Sequence, residues 1–143
     1  MQLVLLNKLK NNPIKDFHLY KYRQEVHIIN CDTEEMEAQI ISSAYAGIYL
    51  TEWEPTNDWG LHCIKCTVPL IALQKKDNYR QYEDAALYTQ LDEKAIGEKM
   101  MLVYKDENLR NAQIETGTEF TRHYNWDLSS ARLWETILQT LRD

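Results

Sequence analysis

Thr51-Glu52-Trp53-Glu54-Pro55-Thr56-Asn57-Asp58-Trp59-Gly60-Leu61-His62-Cys63-Ile64-Lys65-Cys66-Thr67-Val68-Pro69-Leu70-Ile71-Ala72-Leu73 is the stretch on which the fold turns. It leaves one apolar run, Ala46 to Leu50, and enters another, Val68 to Leu73. Between them an acidic residue just past the first run, Glu54, is followed eight positions later by His62, a polar residue expected to open a helix. Strand, polar loop, helix and buried strand in that order are the unit of a doubly wound α/β domain. Such domains bind ligands at the carboxyl edge of the sheet. The stretch is therefore a candidate ligand rim.

The same alternation extends in both directions. Leu3 to Leu6 and Val26 to Ile29 are apolar runs before it, and Ala85 to Tyr88 is one after it. Runs this apolar suit strands covered on both faces. Asp32, with Glu35 three residues on, predicts a capped helix presenting Met36, Ile40 and Ala44. Three helices are expected to close the chain. Asp92 caps one bearing Ile96, Met100 and Val103. Asp106 caps a second bearing Leu109, Ala112, Thr116 and Phe120, and Asp127 caps a third bearing Ala131, Trp134, Leu138 and Leu141. The predicted fold is α/β, a doubly wound parallel sheet with C-terminal helices, built as one domain over the 143 residues.

Composition narrows the function classes. A formal charge of −6 argues against nonspecific nucleic-acid binding, whose affinity comes from Lys and Arg neutralising phosphates. The apolar start, Met1 to Leu6, lacks a basic flank and a cleavage site, and no run reaches the length of a membrane span. A soluble, cytoplasmic chain is expected. Three cysteines, Cys31, Cys63 and Cys66, suit reduced thiols better than a disulfide framework. Cys63 and Cys66 have C-x-x-C spacing beside His62, but no second pair supplies the remaining ligands of a closed zinc site. Small residues three apart on a helix face are the simpler reading, and no metal is assigned.

At this point several spacings converge. Counting eight forward from Glu54 and seven back from Pro69 both land on His62. From about Val26 onward the order of elements resembles the C-terminal, nucleotide-sugar-binding half of GT-B glycosyltransferases, most of all the retaining enzymes of glycosyltransferase family 4. That family carries an E-x7-E motif after a strand ending in a small hydroxyl residue; Thr51, Glu54 and Pro55 stand in those places, and His62 stands where the second Glu belongs. Thr67-Val68-Pro69-Leu70-Ile71-Ala72 resembles the family's G-V-P-V-I-A strand, with Thr67 in the glycine's place. Ala85-Ala86-Leu87-Tyr88 resembles its A-A-L-Y-V strand, and Tyr124-x-Trp126 the aromatic pair before its last helix.

The resemblance implies transfer of a hexosyl unit, such as mannosyl or glucosyl, from a nucleotide-diphosphate sugar to a glycan or lipid-linked acceptor, with retention and without a cofactor. It implies that Glu54, Pro55 and Thr56 meet the donor sugar, and that His62, Asn30 and Thr51 border the nucleotide. An imidazole cannot copy the two-acceptor grip of a carboxylate on ribose hydroxyls. The family's first strand, its Gly-rich turn and its Arg/Lys pair have no counterpart, since Lys8, Lys10 and Lys15 lack that context. The N-terminal acceptor domain has none either. The chain is thus expected to be part of a longer two-domain enzyme, peripheral to membranes at most.

Simpler readings stand beside these. Glu54 is otherwise a solvated carboxylate, and His62 a capping or half-buried residue near a helix start. Trp53 and Trp59 either stack on a sugar or base or pack the loop. Tyr124, Trp126 and Trp134 read as core or interdomain packing. A degenerate domain serving as an interaction module is the alternative; a flavodoxin-like binder ranks last, because the chain offers no phosphate-binding glycine turn.

Overall fold

A computed structural model of the chain describes residues 2–7, 16–51 and 59–141. Those residues form an α/β protein with five strands and six α-helices. They fall into two compact units, Met1–Ile40 and Ile41–Asp143, each with its own parallel sheet.

In the first unit β1, Leu3–Asn7, runs parallel to β2, Val26–Asn30, in a register that places Leu3 beside Val26 and Asn7 beside Asn30. The described part of their connection makes two single 3-10 turns, Phe17–Leu19 and Arg23–Glu25. Leu3 and Val4 are exposed and no residue of β2 is fully buried, so this pair is not the doubly covered strand its apolar run predicts. Helix α1, Glu34–Ser42, starts one residue later than expected. Thr33 caps it, its hydroxyl accepting from the Met36 amide at 3.1 Å and its carbonyl from the Glu37 amide at 3.1 Å. Asp32 therefore lies outside the helix, Glu35 cannot close a capping box, and Met36 is exposed while Glu37 and Ile41 are buried.

The second unit carries β3, Gly47–Tyr49, β4, Leu70–Leu73, and β5, Ala86–Thr89, all parallel and in that order. Every residue of β4 is buried, as a central strand covered on both faces requires. The strand begins at Leu70 and not Val68, although the Pro69 carbonyl already accepts from the Gly47 amide at 2.9 Å. Helix α2, Trp59–Lys65, packs on β3 and β4 and against α5, Glu107–Thr121. Two glycines permit this. A Cβ at Gly47 would stand 2.5 Å from Cys63 Sγ, and one at Gly117 would stand 2.8 Å from Ile64 Cγ2.

Helix α3, Lys76–Tyr82, follows β4, and α4, Glu93–Lys105, follows β5. Asp92 and Asp106 cap α4 and α5 as expected, each accepting a main-chain amide at 2.9 Å. Val103 anchors α4 in the core. In α5 the packed side runs through Gln113, Ile114 and Gly117, not the expected Ala112 and Thr116, which are exposed. Helix α6, Trp126–Thr140, is capped by Asn125, whose Oδ1 accepts from the Leu128 amide at 2.8 Å. Asp127 sits in its first turn, and no residue of the helix is buried, so Trp126 and Trp134 are not core residues. Among the described residues no helix is long and apolar enough to cross a membrane.

Candidate functional site

Parallel strands all leave their sheet on one edge, so Leu50 and Thr51 after β3, Gln74 and Lys75 after β4, and Gln90 after β5 share a side of the second unit. Thr51 is half-buried there. Glu54, Pro55 and Thr56, with Trp53, Asn57 and Asp58, lie outside the described residues, as do Lys8, Lys10 and Lys15. Thr51 and His62 belong to the second unit; Asn30 ends β2 in the first, exposed and in register with Asn7.

Helix α2 begins at Trp59, three residues earlier than the sequence suggests, which makes His62 its fourth residue. The Trp59 ring stacks on Tyr49, the last residue of β3, with centroids 6.1 Å apart and planes 25° apart. Tyr49 in turn meets the fully buried Tyr82 edge-on at 6.3 Å. These contacts are packing, and they hold the first turn of α2 against the end of β3. His62 is half-buried between two buried neighbours, Leu61 and Cys63. Cys63 is wholly buried against Gly47, whereas Cys66, one turn on, is half-buried. Among the described residues no three His, Cys, Asp or Glu side chains come together as a metal cluster.

The end of α2 is a built motif. The Val68 amide donates to the Cys63 carbonyl at 3.0 Å and the Thr67 amide to the Ile64 carbonyl at 3.0 Å, the pair of bonds that defines a Schellman cap. That cap needs a left-handed residue, and Thr67 supplies it with φ 59°. A β-branched side chain resists this conformation, which glycine adopts freely. Position 67 is therefore a glycine position occupied by threonine.

The exit of β4 is tied down by its own chain. Leu73 O accepts from Asn78 Nδ2 at 2.7 Å and from the Lys75 amide at 2.9 Å, and the Gln74 amide donates to Thr89 O at 2.7 Å. Helix α3 then passes directly into a single 3-10 turn, Glu83–Ala85. Tyr88 lies against Tyr79, rings 3.9 Å apart, and its hydroxyl donates to Glu83 O at 2.7 Å. Burial first, then the nearby Tyr79, Asp84 and Glu83, raise the Tyr88 hydroxyl well above the usual tyrosine range, so it stays a donor. Glu83 itself has φ 46°, a second glycine-like conformation held by a non-glycine residue.

Gln74, Asn78 and Thr89 are edge residues that the sequence reading passed over. The signal was present: if one strand exit faces a ligand, the exits of its parallel neighbours share that edge. An open concavity of about 630 Å³ lies elsewhere, at the α4–α5 elbow, lined by Glu98, Met101, Leu102, Lys105 and Glu107. Of these edge residues Gln74 and Gln90 are exposed and Thr51 and Lys75 half-buried, whereas Asn78 and Thr89 are buried. No known family's profile matches the chain, and no curated protein matches it.

Proposed function

We propose that this chain is the nucleotide-sugar-binding half of a retaining glycosyltransferase of the GT-B type, acting in glycan or polysaccharide assembly in the cytoplasm. The observation that carries the reading is the left-handed backbone at Thr67. The family places a glycine two residues before its strand proline, and here that place takes a glycine conformation with threonine in it. Agreement between an expected residue and an independent backbone angle is more specific than either alone.

The strand pairings support the finer, doubly wound reading. In one common order of such sheets, 3-2-1-4-5-6, the second and third strands are neighbours, and so are the fourth, fifth and sixth. If β1 takes the second place, the pairings β1–β2 and β3–β4–β5 are those neighbours.

In this reading Glu54 accepts hydrogen bonds from vicinal hydroxyls of the donor sugar, with Pro55 and Thr56 shaping the loop. His62 faces the ribose with one donor and one acceptor, and Thr51 borders the nucleotide. Rate acceleration comes mainly from stabilising charge on the departing diphosphate. A complete GT-B cleft joins such a half to an acceptor domain and to a basic pair at the donor diphosphate.

The second reading, a degenerate domain kept as an interaction module, draws on the same angles. Thr67 and Glu83 both hold strained backbone at a cost of order 1–3 kcal/mol each. Calorimetric titration of the longest polypeptide encoded by the reading frame with UDP, GDP and ADP separates the two. Binding of one of them is expected, and binding of none leaves only the interaction module.

A further inference from the structure

The last helix is the least covered element of the second unit. Every residue of α6 is exposed: Trp126 at 88%, Leu141 just past its end at 78%, Leu133 at 62% and Trp134 at 60%. At 100° per residue these four, with Ser130 and Ile137, occupy one side, while Arg132 and Glu135 point the other way. A stripe of this kind in water is an interface without its partner.

We propose that the partner is a second copy of this chain, and that two α6 helices pair antiparallel about a two-fold axis. These six positions are symmetric about the point between Leu133 and Trp134, whereas Leu138, beside the stripe, has Ser129 as its mirror position. Reversed onto itself the stripe sets Trp126 opposite Leu141, Ser130 opposite Ile137, and Leu133 opposite Trp134 of the second copy. A two-fold interface demands this property, because the same patch must serve both sides. The small Ser130 leaves room for Ile137 where the helices approach. The charges of Arg132 and Glu135 stay in water, and Asp127 borders the stripe at its first turn, opposite Thr140 of the second copy.

Area points the same way. The exposed parts of the six side chains amount to roughly 700 Å² per copy, close to the ~800 Å² per partner of a standard interface. Two tryptophans near its middle and end are the side chains that most often anchor such contacts.

Sedimentation of the 143-residue chain over a range of concentrations tests this. A monomer–dimer equilibrium is expected, with Ile137→Glu weakening the dimer by about thirtyfold or more. Glu135→Lys on the opposite side is expected to leave it unchanged, and both variants to keep the wild-type far-ultraviolet spectrum. With a short thiol cross-linker, a mixture of Trp126→Cys and Leu141→Cys chains should link as the mixed pair far better than either variant alone. A chain that stays monomeric at every concentration overturns the proposal. So does a dimer indifferent to Ile137→Glu, or cross-linking that favours like pairs. None of these readouts involves a nucleotide, so they stand or fall apart from the glycosyltransferase reading.

Discussion

Helices α2 and α6 are opposites. Helix α2 has seven residues, four of them buried, and is gripped through Gly47 on one side and Gly117 on the other. Helix α6 has fifteen residues, a side-chain cap and a broad apolar stripe, yet none of it is buried. By local criteria α6 is the better helix, and a seven-residue helix is marginal in water. Local signals decide whether a helix forms, whereas burial depends on what its neighbours leave room for.

The comparison breaks first at Gly47. Gly47→Ala places a methyl 2.5 Å from the Sγ of the wholly buried Cys63, and should cost about 3 kcal/mol by urea unfolding. Gly47→Ala combined with Cys63→Ala should recover a good part of that loss. Additive losses would mean that α2 is not held by this contact. Next comes the end of the same helix: Thr67→Gly should stabilise by about 1 kcal/mol or more, because glycine takes the left-handed cap without strain. An unchanged or lower midpoint would contradict the strain assigned there.

Tyr88 gives a pH test of the second unit. Its hydroxyl titrates above the unfolded value of 10.0, so its contribution is intact below pH 10 and is lost as pH rises beyond that. Stability should decline above pH 10 less steeply in Tyr88→Phe than in the wild type. Equal slopes would remove Tyr88 as the cause. The smallest effect belongs to α6, where Leu133→Ser, measured at a concentration too low for pairing, should shift stability by less than about 0.5 kcal/mol. A large loss would show that α6 is packed after all.

The same contrast explains what could be read in advance. The five strands were legible because each is an apolar run too short to be a helix, and their ends moved by only a residue or two. Asp92 and Asp106 were legible as caps because no other capping residue adjoins them on the helix side. Asp32 and Asp127 were not, because Thr33 and Asn125 compete for the same role nearby, and differences of one or two residues in cap position carry little sequence signal. The packed side of α5 was hidden because Gln113 and Gly117 carry it, and neither looks like a core residue. In the candidate site Thr51 lies at the expected edge, and His62 falls in α2, displaced only by the early helix start at Trp59. Order and spacing along the chain singled out position 67, but the left-handed angle of Thr67 belongs to the folded helix end.

The proposed contact of Glu54 with a donor sugar is tested by calorimetric titration of Glu54→Ala against wild type. A nucleotide sugar and its bare nucleoside diphosphate are each titrated into the longest encoded polypeptide. Loss of a charged acceptor to sugar hydroxyls should weaken the sugar nucleotide by about tenfold or more and the bare nucleotide hardly at all. Equal weakening of both ligands would contradict the role given to Glu54.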